Sequence, residues 1–246
     1  MKISSKVKEQ TRIRLLEAAV DVISEKGFDK ASMREIAKTA DVADATIYNY
    51  FSTKEKLLYG YCEYVQQQVM AELKTIDDFH EYTLQEQLHQ LVELELRMWL
   101  PAREFLNEVF AQTYAAPRVG HELLQDSKNI LKTIVIELID AAIEAGEMPE
   151  QPYQDLLPAM FWDYQTAILA YWLKDSSDEF ANTTQLVAQS IEIVAQLLIG
   201  GVIGKTLDMF SFMFRTHVLQ HMSSLDSFTQ QPELKAAKRR FMGEAE

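Results

Sequence analysis

Hydrophobic positions recur at helical intervals along most of the chain, and no stretch alternates apolar and polar residues as a half-buried strand does. Ile13, Leu16, Val20 and Ile23 share one face of a helix over residues 7–26, and Gly27 stands just past its end as a C-cap. Met33, Ile36, Ala37 and Ala40 fall at i, i+3, i+4 and i+7, which predicts a short helix over 33–39. Ser32 precedes it as an N-cap and Glu35 follows three residues on, the pattern of a capping box. The periodicity breaks at Asp41-Val42-Ala43 and restarts at Asp44, predicting a third helix over 44–50 with Ile47 and Phe51 turned inward. A fourth helix begins at 54 or 55 and carries Leu58, Tyr61, Val65, Val69 and Leu73. At about 20 residues it is roughly 30 Å long, enough to bridge two bundles.

After a polar, acidic connection over 75–83, the same spacing predicts helices over 84–99, 101–114, 120–145, 153–174, 183–199 and 202–222. Pro101 suits a first helical turn, Ala115-Ala116-Pro117 breaks a helix, and Gly146 with Pro149 stops the next. The expected fold is therefore all-α. A three-helix N-terminal bundle (1–54) precedes a larger helical domain (55–222) and a polar tail (223–246) bearing Lys235, Lys238, Arg239 and Arg240.

Composition supports this reading: 246 residues hold only 8 Gly and 6 Pro, and 48% are hydrophobic. A single cysteine, Cys62, excludes an internal disulfide framework and reads as a passive, half-buried thiol. The segment MKISSKVKEQTR lacks the apolar core of a signal peptide. The longest uncharged apolar stretch, 193–204, is too short to span a bilayer, so a cytoplasmic protein without a membrane anchor is expected. Net charge is −13, but its distribution is uneven. Residues 1–58 carry 11 basic and 9 acidic side chains, against 13 and 28 in the remainder. Solubility accounts for that acidity, and a pocket for a cationic ligand is the sharper alternative.

Two short helices joined by a tight turn, the second rich in side chains suited to DNA, describe a helix-turn-helix. Ala45, Thr46 and Asn49 offer small or polar groups for the major groove, where methyls meet thymine and the amide meets base edges. Arg34, Tyr48, Tyr50 and Lys54 suit phosphate oxygens, which set register without reading sequence. The stretch from Ser32 to Leu58 resembles the DNA-binding module of the TetR family of bacterial transcription regulators. The matching residues are Ile36-Ala37, Ala40, Val42, Thr46-Ile47-Tyr48, Tyr50-Phe51, Lys54 and Leu57. In that family the positions of Tyr48, Tyr50 and Lys54 commonly contact the DNA backbone. The chain departs from the family in the turn and at the start of the third helix. Asp41 replaces a usual Gly, Ala43 a usual capping Ser, and Asp44-Ala45 a pair that is often basic followed by Gly. Asp tolerates a left-handed turn, and Asp44 or Asp41 is expected to cap in place of Ala43.

The second domain is rich in bulky apolar side chains, and its helices over 153–174, 183–199 and 202–222 are apolar nearly all round. Such helices need neighbours beyond their own bundle. The resemblance implies that the pairs over 153–174 and 183–199 from two subunits form a four-helix interface, hence a homodimer reading two half-sites. It also implies a pocket for a small hydrophobic or aromatic effector, with Trp99, Phe105, Phe110, Phe161, Tyr164 and Ile168 as expected lining residues. His217 and His221 stand at i, i+4, but HVLQH lacks the HExxH glutamate and reads as a solvated face. With no nucleophile–His–acid grouping, phosphate loop or zinc motif, neither catalysis, a cofactor nor a metal is expected. The function expected is a ligand-responsive regulator, a repressor, that binds a double-stranded palindromic operator as a dimer. The alternative is a lipid- or partner-binding protein that kept the fold and lost specific DNA binding.

Overall fold

The computed structural model describes residues 5–150 and 154–213, and every regular element among them is helical. Helix α1 (Ser5–Lys26) buries Leu15, Leu16, Ala19 and Ile23. Ile13 and Val20 flank that stripe, because the helix meets neighbours on two sides. Gly27 ends α1 at φ 80°, and its N–H donates to Ile23 O at 2.8 Å, the C-cap expected.

Helix α2 (Met33–Thr39) starts on Ser32, whose Oγ accepts from Glu35 N at 3.2 Å. Only this half of the expected capping box is recorded. The Glu35 carboxylate pairs with Lys26, so the first two helices are tied by charge at that corner. Asp41 then adopts φ 53°. Its N–H donates to Lys38 O at 3.1 Å and that of Val42 to Ala37 O at 3.0 Å. This pair of bonds is a Schellman motif, built on an aspartate in the left-handed region where Gly carries no steric penalty.

Helix α3 (Asp44–Ile47) is shorter than the periodicity predicts. Ala43 supplies no side-chain cap, and the residues after Ile47 close as tight turns: Asn49 N donates to Thr46 O and Tyr50 N to Ile47 O, both at 3.0 Å. Thr, Ile, Tyr and Asn are all mediocre helix formers. The segment therefore stays helical only while Ile47 and Phe51 anchor it in the core.

Helix α4 (Lys54–Leu73), capped by Thr53, runs out of this bundle and through the rest of the molecule. It packs against α1 at one end and, farther along, against α5 (Leu84–Trp99), α7 (Pro117–Leu123) and α8 (Gln125–Glu144). The expected boundary at 54/55 thus coincides with the start of a helix shared by both parts. Gly60 sits where a Cβ would come within 2.9 Å of the Phe51 ring, so this helical glycine admits the aromatic that closes the small core.

A complete capping box, Thr83 with Glu86, opens α5. A 3-10 turn containing Pro101 leads to α6 (Arg103–Ala115). The helix expected over 120–145 is split at Leu124 into α7 and α8, and Pro117 begins α7 at a first-turn position. The remaining helices are α9 (Leu157–Trp172), α10 (Ala181–Ile199) and α11 (Val202–Met213). The expected extension to 222, the tail and His217/His221 lie outside the described residues. No described helix is long and apolar enough to cross a membrane.

Candidate DNA-reading face and effector cavity

The second helix of the helix-turn-helix presents its polar edge to solvent. Ala45, Tyr48 and Asn49 are exposed, Thr46 and Tyr50 are half-buried, and Ile47 is fully buried. Tyr48 is a large aromatic left 56% exposed. An amphipathic ring with a free hydroxyl at that position suits a phosphate ridge. Arg34 Nε reaches Asp44 Oδ2 at 3.0 Å. The pair is solvent-exposed and weakly held, so it tempers the Asp44 charge and leaves Arg34 able to turn to a phosphate. Capping of α3 by Asp44 is not what the geometry records.

Lys54, expected at a phosphate, is engaged within the protein itself. Its Nζ donates to the carbonyl oxygens of Phe28, Asp29 (3.5 Å) and Ala31 (2.9 Å), and stands 4.3 Å from the centre of the Phe28 ring. The ammonium clamps the α1–α2 loop to the start of α4. Its three donors meet three acceptors.

The first bundle is bonded to the second domain at several points. Arg12 pairs with Glu63 at 3.0 Å, Tyr59 Oη meets Thr113 Oγ1 at 3.1 Å, and the Phe28 N–H donates to Glu108 Oε2 at 3.1 Å. Glu108 and Thr113 belong to α6, which also lines an internal cavity of the second domain, larger than a neighbouring one near α10.

That cavity, about 230 Å³, lies among α4 to α9. Of the residues expected to line an effector pocket, Trp99 and Phe110 border it, together with Leu106, Val109, Trp162 and Leu169. The other expected residues are elsewhere. Phe105 is fully buried, its ring edge-on to Tyr61 at 5.1 Å. Ile168 is consumed by the core. Phe161 and Tyr164 line a second, apolar cavity of about 200 Å³ near α10, where Tyr164 Oη also bonds Ser190 Oγ at 2.8 Å. A helix of this kind buries two faces, and aromatic content alone does not say which face meets which cavity.

The larger cavity also holds polar groups that the sequence reading passed over. Glu95 is 1% exposed, and its Oε1 accepts from Gln66 Nε2 at 2.7 Å. Burial pushes its carboxyl up to about 7, partly offset by Gln66, Trp99 and Gln165, which are directed at it. A signal for these residues exists in the periodicity. Leu84, Leu88, Leu91, Glu95 and Trp99 form one stripe on α5, and Glu95 takes an apolar place in it. Gln66 interrupts the stripe Cys62, Val69, Leu73 on α4, and Gln165 interrupts Phe161, Ile168, Trp172 on α9. Cys62, also in the wall, is buried with its thiol pushed upward by desolvation, which suits an inert group. Among the described residues, Asp78, His80 and Glu81 come near metal-ligand spacing, all exposed.

Comparison with known proteins places both parts of the chain. Residues 15–59 match the family model described as bacterial regulatory proteins, tetR family. Residues 64–213 match the one described as tetracyclin repressor-like, C-terminal domain. The HTH-type transcriptional regulator UidR of Escherichia coli K12 is 25% identical over 163 residues, covering 66% of this chain and 81% of that protein. The regulator YvdT of Bacillus subtilis is 43% identical over 61 residues, 25% of this chain and 31% of that protein. The solved structure of Salmonella enterica GusR superposes with a TM-score of 0.61 at 19% identity, covering 81% of this chain and all of that one. At that identity the structure speaks for the fold alone. The family model of the second domain spans more than half of the chain and that of the first holds the helix-turn-helix. The chain therefore belongs to the TetR family of DNA-binding transcriptional regulators, which are not enzymes.

Proposed function

We propose that this protein is a repressor that binds a palindromic operator as a homodimer and releases it when a small hydrophobic effector enters the cavity among α4 to α9. The observation that carries the DNA-binding half is the outward edge of α3 and of the turns that follow it. Ala45, Tyr48 and Asn49 are exposed and Thr46 half-exposed, on a segment narrow enough to enter a major groove. Arg34 and Tyr50 flank it at positions suited to phosphates. Lys54 supports the same face from behind by holding the loop before α2, and its role is positioning.

Dimerisation is supported by apolar side chains left on the outer faces of α9 and α10. Met160 and Ile193 are each more than half exposed, and Leu197 and Ile199 lie beside them in the same helices. A second copy laid across these helices removes that surface from water. Release follows if the effector favours a dimer whose recognition helices no longer match half-sites about 34–36 Å apart.

Selection of bound fragments from the source genome, followed by gel shift, tests this reading. Tyr48→Ala combined with Asn49→Ala is expected to lower specific affinity by about 100-fold or more, with the dimer and its melting temperature unchanged. Retention of full affinity by that variant overturns the assignment of the face. Complete absence of specific binding by the wild type favours the alternative, a protein that kept the fold as a lipid or partner binder.

A further inference from the structure

Apart from Arg103 Nε, the unpaired buried side-chain polar atoms among the described residues gather at one place in the molecule. Glu95 Oε2, Gln66 Oε1, Trp99 Nε1, Ser127 Oγ and both polar atoms of Gln165 make no well-formed hydrogen bond within the protein, although Trp99 and Gln165 are directed at the Glu95 carboxylate. All five side chains are more than nine-tenths buried. Gln66, Glu95, Trp99 and Ser127 are in the wall of the larger cavity, and Gln165 faces Glu95 from α9. Buried polar groups left unpaired cost stability, so a cluster of them on four packed helices calls for a partner.

The inventory says what kind of partner. Glu95 Oε2, Gln66 Oε1 and Gln165 Oε1 accept; Trp99 Nε1 and Gln165 Nε2 donate; Ser127 does either. One acceptor is a carboxylate, and no Lys or Arg is among the described lining residues. His121, the single wall residue able to become cationic, is exposed at the mouth and bonded to Gln125. The walls add the aromatic faces of Trp99, Phe110 and Trp162. An apolar cavity of roughly 150 Å³ holds benzene, so about 230 Å³ accommodates one ring with a short chain.

We propose that the effector taken by this cavity is an arylalkyl amine, with its ammonium seated on Glu95, Gln66 and Gln165 and its ring against Trp99, Phe110 and Trp162. The inference rests on the reading of this cavity as the effector site. An ammonium brings three donors and no acceptor, which matches a site short of donors. A carboxylate-bearing ligand would face Glu95 with no lining cation to offset it. A purely apolar ligand would leave the same acceptors unpaired. The aromatic walls stabilise a cation further once water is excluded.

Calorimetric titration of the full chain with 2-phenylethylamine, 2-phenylethanol and 3-phenylpropionate separates the possibilities. The amine is expected to bind about tenfold or more tighter than the alcohol, since a charge-assisted bond is roughly twice as strong as a neutral one, and the carboxylate weakest of all. Glu95→Gln, which keeps shape and removes charge, brings the amine down to the level of the alcohol. Equal affinity of amine and alcohol for the wild type, or tighter binding of the carboxylate, overturns the proposal while leaving the effector site standing. An amine preference that survives Glu95→Gln overturns it as well. Binding by none of the three defeats both the proposal and the reading of the cavity beneath it.

Discussion

Two ends of one stretch of the long helix α4, its first residue Lys54 and Gln66 in its second half, meet opposite chemical circumstances. At its start the Lys54 ammonium is saturated, with carbonyls of Phe28, Asp29 and Ala31 around it and an aromatic ring beneath. Three turns on, Gln66 joins Glu95 in a cavity where polar atoms outnumber their partners. The first end is finished by the chain itself and the second is not. A polar group completed by its own fold serves geometry, and one left incomplete in a cavity serves something that arrives.

Glu95→Gln tests this contrast most strongly. Because burial raises the Glu95 carboxyl from near 4.5 to about 7, the folded protein holds a proton that the unfolded chain has already lost. Wild-type stability is therefore highest below about pH 4.5 with respect to this group, falls as pH rises toward 7, and levels off above. The groups facing it are Gln66 and Cys62 from α4, Trp99 from α5 and Gln165 from α9; burial keeps the Cys62 thiol neutral throughout this range. The variant lacks the penalty. It is expected to be more stable than wild type by about 3 kcal/mol at pH 8, with the gap closing near pH 5 in chemical denaturation. A pH-independent difference would show that the carboxylate is not the source.

Lys54→Met should do the reverse. Removing the ammonium leaves the loop carbonyls of Phe28 and Ala31 without their donor, at a cost of about 2 kcal/mol, seen as an earlier denaturation midpoint. If stability holds and only DNA affinity falls, Lys54 touches phosphate rather than the loop. Asp41→Gly is expected to add about 1 kcal/mol, since φ 53° strains any residue with a Cβ. Ala43→Ser supplies the missing cap on α3 and is worth about 0.5–1 kcal/mol. Its readout is a longer α3 by amide protection, and no change in protection at Asn49 and Tyr50 would show that capping does not limit that helix.

The same contrast explains what could be read from the chain alone. Apolar periodicity located α1, α2, α4 and α5 well, because each buries one broad stripe. It overextended α3, whose length depends on a cap and on residues with weak helical preference. It ran α7 and α8 together, because the irregularity at Leu124 leaves the apolar spacing nearly intact. In the second domain the pocket was implied by the resemblance, and its expected lining of aromatic residues left out Glu95, Gln66 and Gln165. Those three occupy places in apolar stripes, and their meeting depends on how three helices are laid side by side. A polar residue that breaks a stripe was the available sign.

Glu108 reaches across from α6 to hold a single backbone amide, that of Phe28, at 3.1 Å. The opposite side of the same helix supplies Val109, Phe110 and Thr113 to the cavity wall. That amide proton is sheltered from exchange with solvent while the carboxylate stays in place. Its exchange rate is thus a clock built into the chain, counting how often α6 parts from the loop beside α2. A ligand that shifts α6 resets the clock without touching the residue that keeps it.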